Sequence, residues 1–269
     1  MNIIFLINDS FTVEEAWEEL ELRGITVLYS IENKEDKGEL LMGYCEETVL
    51  LSQPFKTISS YKKESLPSIN WEEQWALHGQ NYRDGYVHVK VKDQEILKLK
   101  PGPGFGDMSH PTTRLVLTMM TEHVGDRDFL DIGCGSGILG LAAAKLGAKS
   151  VVGLDIEVEA LQHAGENAFI NEVSYVQWLL PCEVVNVAQN TLAVMNMIYS
   201  EQEVAWESLQ VWHPSIDEMI ISGLLQEEES KVTVEWKARG WTIEEKHTLE
   251  GWLALRISKN VNVPASYYP

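Results

Sequence analysis

The chain has 269 residues, 45% of them hydrophobic, and 41 Asp and Glu against 21 Lys and Arg, a formal charge of −20. That length gives one large domain or two smaller ones, and the acidic balance repels nucleic acid and anionic membrane while suiting either a basic protein partner or an ordinary soluble surface. No apolar run approaches the roughly 20 residues that span a bilayer, and Cys45, Cys134 and Cys182 are too widely spaced for a metal or disulfide pattern, which fits a reducing cytosol.

Residues 2–7 are apolar and β-branched and predict a strand; without a basic flank or cleavage site they do not read as a signal peptide. Thr12 and Glu15 form a T-x-x-E capping box. Val13, Ala16, Trp17 and Leu20 then recur at helical spacing up to Gly24, and Glu14, Glu15, Glu18, Glu19 and Glu21 give this helix an acidic outer face. Residues 25–31 and 39–44 predict two more strands around a charged turn at 33–38. This β-α-β-β unit sets a small α+β domain at 1–58, without an evident second helix of a ferredoxin-like module.

Residues 59–100 read as linker helix and hairpin. Ser59, Ser60, Lys62, Lys63, Pro67 and Ser68 have linker composition. WEEQWAL at 71–77 is a short amphipathic helix whose Trp71 and Trp75 suit a packing staple between domains. Residues 86–91 and 95–99 alternate as the strands of a hairpin. PGPGFGDMSHPTT at 101–113 follows, a glycine–proline loop with one aromatic, Phe105. It ends in a helix start at His110-Pro111 that Thr112 or Thr113 could cap. A glycine-rich loop directly before a nucleotide-type strand suits a cover over a ligand.

Residues 129–140, FLDIGCGSGILG, read as an apolar strand, a glycine turn and a helix that ends at Gly147. Glycine lets the backbone approach a ligand, and a helix N-terminus offers free N–H groups. Asp155 ends the next strand, 150–156, and a carboxylate there can accept both hydroxyls of a ribose. A helix is expected at 157–171 with Val158, Leu161, Ala164, Ala168 and Phe169 on one face, a strand at 174–179, a weak helix at 183–189 and a buried strand at 192–197. A helix at 201–211, a strand at 216–222 and a helix at 224–239 follow. Strands at 241–248 and 251–257 turn at Glu250-Gly251, before a frayed tail at 261–269. Five strands alternating with helices and closed by a hairpin predict an open, mostly parallel α/β sheet with helices on both faces and one antiparallel strand. The ligand belongs at the carboxyl ends of the strands, where Asp131, Gly133, Asp155 and Asn196 fall.

The glycines alone leave the cofactor open. Gly135, Gly137 and Gly140 satisfy the dinucleotide pattern G-x-G-x-x-G, whereas Asp131, Gly133, Gly135 and Gly137 satisfy D-x-G-x-G-x-G, the first motif of S-adenosylmethionine-dependent methyltransferases. They could also simply allow close strand–helix packing. The closing hairpin and the shortage of hydride-transfer machinery weigh against a nicotinamide dehydrogenase; His163 and His213 each read as structural.

Three blocks together resemble one family, the methyltransferases of ribosomal protein L-eleven, the stalk-base protein of the large subunit. FGDMSHPTT stands beside the family's F-G-T-G-x-H-x-T-T, DIGCGSGILGLAAAKLGA is followed by GLDI, and VMNMI stands beside V-x-A-N-I. WEEQW also looks like the family's tryptophan-containing linker. The resemblance covers residue 70 onward. It implies a small N-terminal substrate-recognition domain, a linker, and a Rossmann-like seven-stranded methyltransferase domain at 101–260. It further implies a cytoplasmic, monomeric enzyme that moves methyl groups from S-adenosylmethionine to lysine or N-terminal amino groups of a basic ribosomal protein, with no metal, nucleic acid or membrane involved. Thr113, Gly133, Gly135, Asp155, Asn196 and Phe105 would hold the cofactor, and Asn196 would be the catalytic residue. Asn196 to Tyr199 also gives an N-x-x-Y arrangement comparable to the N-P-P-Y of other amine and amide methyltransferases. The chain departs from the family at Asp107-Met108, which replace Thr-Gly, and at Ala193, where the family strand begins with Asp. Gln177 and Glu183 are the nearest candidates for the adenine amino group. These departures leave open a different protein or small-amine substrate, or a non-catalytic cofactor-binding module.

Overall fold

The structure, a computed structural model, describes residues 2–8, 10–23, 25–32, 39–44, 55–63, 81–92, 95–106, 110–183 and 187–260. The expected turn at 33–38, the helix at 71–77, Asp107-Met108 and the tail at 261–269 lie outside these residues. The chain divides after Ile69 into two units.

The first unit contains β1 (Asn2–Ile7), α1 (Val13–Leu22), β2 (Thr26–Glu32), β3 (Glu39–Tyr44) and β4 (Ile58–Lys63). The strands form one sheet in the order β2-β3-β1-β4, with β1 antiparallel to both neighbours. Alternation along β1 turns Ile3, Phe5 and Ile7 into a core with Ala16, Leu20, Ile25, Leu41 and Ile58. The predicted capping box forms: Thr12 N donates to Glu15 Oε2 at 2.9 Å and Glu15 N to Thr12 Oγ1 at 3.2 Å. Residues 59–63 are not linker but the end of β4, with Ser60 opposite Leu6 and Lys62 opposite Ile4. A polar edge strand that buries one residue, Ile58, has the composition of a linker, and lysines on such an edge discourage further pairing.

The second unit opens with β5 (Tyr82–Arg83), β6 (Tyr86–Lys92) and β7 (Glu95–Leu99), a small antiparallel sheet that buries Val87, Val89, Leu97 and Leu99. Next come α2 (Pro111–Met120), β8 (Asp128–Ile132), α3 (Ile138–Lys145), β9 (Ser150–Leu154), α4 (Val158–Ile170) and β10 (Val176–Leu179). The chain continues through β11 (Thr191–Asn196), α5 (Tyr199–Ser208), β12 (Ile216–Leu225), α6 (Glu229–Ala238), β13 (Trp241–Leu249) and β14 (Trp252–Lys259).

The seven strands β8 to β14 form one sheet in the order β10-β9-β8-β11-β12-β14-β13. β14 runs antiparallel to both β12 and β13, and the pairings from β10 to β12 are parallel. The order reverses between β8 and β11, so ligand chemistry is expected at their carboxyl ends. Both faces are buried, which is why the strands read as continuous apolar runs. Phe129, Val151, Leu192, Val194 and Ile220 face a layer containing α2 and α3. Leu130, Leu154, Ala193, Met195 and Ile221 face the opposite core, where Trp206 of α5 packs edge-on against Trp236 of α6 and Trp241 of β13.

Two predicted helices change. The helix expected at 224–239 is shorter, because β12 runs on to Leu225 and a 3-10 turn, Gln226–Glu228, precedes α6. Gly223 makes that continuation possible: its φ is 89°, and a Cβ there would stand 2.2 Å from Met197 O. The weak helix expected at 183–189 is a 3-10 turn, Pro181–Glu183, with 187–190 non-helical.

In the first unit, Glu19 of α1 accepts from Lys56 N at 3.0 Å, Thr57 N at 2.7 Å and Thr57 Oγ1 at 2.6 Å, and pairs with Arg23 at 2.7 Å. Burial raises its pKa, but these donors and Arg23 outweigh it and hold the carboxyl down at about 2. A depressed carboxyl contributes stability that is complete above its unfolded value, near 4.3. The protection of β1 amides against hydrogen exchange is therefore expected to fall as pH drops from about 4 towards 2. Glu19→Gln should weaken it by roughly 1.5–3 kcal/mol at neutral pH and remove that acid step.

Candidate active site

β8 delivers Asp131 and Ile132 into a turn in which Gly133, Gly135 and Gly137 have φ of 75°, 53° and 80°. Side-chain-bearing residues rarely adopt this left-handed conformation, so the alternating glycines are a backbone requirement. Gly133 N and Cys134 N both donate to Leu154 O at 2.8 Å, tying the turn to the end of β9. Asp155, the next residue, accepts from Gly135 N at 2.9 Å through Oδ2 and from Glu157 N at 3.0 Å through Oδ1. Gly137 caps α3 with no side-chain bond, which leaves main-chain N–H groups at that terminus.

The glycines separate into two jobs. A Cβ at Gly137, Gly140 or Gly153 would stand 2.9, 3.1 or 2.3 Å from the Trp178 indole of β10. These glycines admit a large aromatic beneath the turn, so packing is a real part of the motif. Gly133 and Gly135 open elsewhere: a Cβ on Gly133 would stand 2.4 Å from Met197 Cε, and one on Gly135 2.7 Å from Phe105 O. The first two glycines of D-x-G-x-G-x-G thus line the side reached by the 101–106 loop and by the residue after Asn196.

That loop lies on the turn. Ser136 N donates to Phe105 O at 2.8 Å, and Ser136 Oγ to Gly106 O at 2.9 Å. The Phe105 ring is 54% exposed and meets the His110 ring edge-on at 5.5 Å, while His110 meets Trp252 at 4.7 Å. His110, rather than either threonine, is the N-cap of α2; Nδ1 accepts from Thr112 N at 3.4 Å, with Pro111 in the first turn. Thr112 and Thr113 are buried inside that turn. The imidazole has the acceptor that the cap requires, which pattern reading assigned to a hydroxyl.

α2 places Thr113 against the end of β11. Asn196 Nδ2 donates to Thr113 Oγ1 at 3.4 Å, and Asn196 Oδ1 is buried with no hydrogen-bond partner among the described residues. An orphaned buried acceptor at the sheet's switch point suits a ligand N–H. Met197 N donates to Ser222 O, and buried Gln202 donates to both Met197 O and Ser222 O, so the strand end is fixed from α5.

The structure thus brings Gly133, Gly135, Asp155 and the Phe105 main chain to one turn, and Thr113 to Asn196, with Met197 touching Gly133. Tyr199 does not join them. It is 6% exposed in the second core, with Lys231 over its ring at 4.8 Å, so the likeness to N-P-P-Y ends at Asn196. Glu183 follows β10 and accepts from Leu180 N at 2.8 Å. Sequence reasoning missed Ser136 and Met197. It also missed the partner of Asp131, whose Oδ2 accepts from Gly140 N at 2.8 Å. The sequence signals for Asp131 are its place in the glycine motif and at the carboxyl end of a strand.

Burial pushes the Asp131 carboxyl up to about 7; the Gly140 N–H opposes this and the Asp155 carboxylate adds to it. A carboxyl raised above its unfolded value, near 3.9, costs stability as pH rises from there through the folded value. Asp131→Asn retains an acceptor for Gly140 N–H and cannot ionise. Its melting temperature should therefore gain on that of the unsubstituted protein between pH 5 and pH 8, measured without ligand; parallel curves would rule out a neutral Asp131.

Comparison with known proteins supports the same assignment across both units. The family described as Ribosomal protein L11 methyltransferase (PrmA) matches residues 5–260. A ribosomal protein L11 methyltransferase of Dichelobacter nodosus is 32% identical over 204 residues, covering 72% of this chain and 68% of the relative. One from Exiguobacterium sibiricum is 28% identical over 272 residues, 90% and 82% of the two chains. Among solved structures, the ribosomal protein L11 methylase of Lactobacillus delbrueckii subsp. bulgaricus superposes with a TM-score of 0.55 at 30% identity, covering 67% of this chain and 91% of that one. The match runs through the glycine turn, Asp155 and Asn196, and the chain belongs to the ribosomal protein L11 methyltransferase family.

Proposed function

We propose that this protein transfers methyl groups from S-adenosylmethionine to amino groups, lysine side chains or an N-terminus, of ribosomal protein L11. The observation that carries this reading is the buried Oδ1 of Asn196 at the switch point, beside Thr113 and without a partner among the described residues. The turn also fits the donor. Gly133 is exposed at the turn, and Asp155 is half-buried with both oxygens aligned by main-chain N–H groups. Phe105 and Thr113 would complete the cofactor site.

S-adenosylmethionine, when bound, supplies a methyl group already activated by its sulfonium. The protein is left with alignment, since reacting groups held in line gain most of what a side chain could add. An amine must be neutral to attack, and lysine has a reference pKa of about 10.4. Removal from water lowers that value. Asn196 Oδ1 accepts an N–H of the neutral amine and aims its lone pair, while Thr113 holds the amide in orientation. The charge of −20 favours a basic substrate, and Glu15 and Glu18 are exposed on α1 of the first unit, which serves in recognition. A cytoplasmic monomer completes the reading; no helix among the described residues is long and apolar enough to cross a membrane.

The test is labelled-methyl transfer to purified L11 and to a cell lysate. Label on L11 supports the proposal, label on another species moves the substrate, and donor binding without transfer defeats the enzymatic reading. Asp155→Ala should weaken donor affinity by roughly 10–100-fold, the usual cost of hydrogen bonds to a charged group; unchanged affinity rejects its ribose role. Asn196→Ala should lower kcat by about 100-fold with a much smaller change in donor affinity. Full turnover in that variant removes its orienting role.

A further inference from the structure

α4 carries a polar stripe on its buried side, His163, Asn167 and Asn171, each four residues from the next. All three point at residues 98–104, the end of β7 and the start of the loop. Asn171 accepts from Lys98 N at 2.8 Å and donates to Lys98 O at 2.7 Å. Asn167 accepts from Lys100 N at 2.8 Å and donates to Ser136 O at 2.9 Å. His163 Nε2 lies 2.7 Å from Lys100 O, and Gly104 N donates to His163 Nδ1 at 3.1 Å. The helix thus acts towards this segment as a neighbouring strand would.

His163 grips the chain on both sides of Gly102. A Cβ at Gly102 would stand 2.5 Å from Nε2, so the ring lies flat against that glycine. One residue beyond Gly104, Phe105 O receives Ser136 N from the glycine turn. Gly104 itself abuts the turn, its added Cβ falling 2.5 Å from Gly135 C. We infer that His163 is a positioning residue for the donor site, holding the Gly104–Phe105 main chain on the glycine turn through a neutral imidazole that donates from Nε2 and accepts at Nδ1. This inference rests on the donor site proposed above.

The partners fix the tautomer, because a carbonyl requires the proton on Nε2 and a backbone N–H requires a lone pair on Nδ1. Protonation would put a second donor in front of Gly104 N and release one of the two holds. Burial depresses the ring's pKa and the Lys100 ammonium depresses it further, against the Lys100 carbonyl and the Glu166 carboxylate, which raise it. Glu166 from α4 and Lys100 from the end of β7 also pair with each other at 2.8 Å. The neutral ring therefore persists below the ordinary histidine range.

Two variants and two readouts test this. His163→Leu keeps volume and removes both bonds; His163→Gln keeps an acceptor and a donor. Gly104 amide exchange is measured without ligand, and S-adenosylmethionine affinity by calorimetry. His163→Leu should speed Gly104 exchange and weaken the donor, each by about tenfold, and raise the donor KM more than it lowers kcat. His163→Gln should stay within about threefold of the unsubstituted protein on both. Unchanged exchange and affinity in His163→Leu, or a His163→Gln as impaired as His163→Leu, overturns the inference. If the unsubstituted protein binds no S-adenosylmethionine, the donor site fails, while Gly104 exchange still decides the hold. Should His163→Leu not fold, ring protonation of the unsubstituted protein is followed by NMR: exchange and affinity should deteriorate together as the ring gains its proton, and indifference to that proton overturns the inference.

Discussion

The turn between β8 and α3 is compressed from two sides, and the site depends on that compression. Trp178 presses from beneath on Gly137, Gly140 and Gly153; Gly104 and Phe105 lie against Gly135 from above. Neither approach tolerates a Cβ. The turn is therefore a thin layer of backbone between an aromatic and a loop, and its N–H groups are already aimed: Gly135 at Asp155, Ser136 at Phe105, Gly140 at Asp131. Those bonds, made within the protein, hold the turn in one shape.

The opposite end of the sheet carries a different burden. At the amino ends of β8 and β12, Arg127 meets Glu218 at 2.5 Å, Glu218 meets Arg256 at 2.8 Å, and Arg256 meets Glu245 at 3.1 Å. His123 and His247 join through Glu245 at 3.2 and 2.7 Å. Isolated exposed pairs contribute little, but this partly buried network ties β12, β13 and β14 to the residue that precedes β8. At the carboxyl end, Asn196 Oδ1 and Asp131 Oδ1 are buried without a hydrogen-bond partner among the described residues.

Much of this was legible. The alternation of buried strands and helices gave the doubly wound sheet, the glycine turn falls between β8 and α3, and Asn196 and Asp155 fall at strand ends by simple counting. What failed did so for local reasons. A strand that bends through glycine, as β12 does at Gly223, looks like a strand that stops. A polar edge strand such as β4 looks like linker. Tyr199 followed Asn196 at a suggestive spacing, but the first turn of α5 carries it into the core. The partners of His163, expected to be structural, stayed out of reach of pattern reading, because they are main-chain atoms 59 and 63 positions earlier and no sequence pattern marks a partner on a distant backbone.

The raised carboxyl of Asp131 carries one more consequence. A group that titrates near neutrality is a proton store that responds to local charge. A cation brought to the glycine turn favours the ionised carboxylate and drives the proton into solvent. By reciprocity, such a cation is held more tightly as pH rises through the carboxyl's titration, and a neutral compound of the same shape is not. A buried carboxyl beneath a glycine turn thus couples the charge of whatever the turn holds to the protonation of the protein.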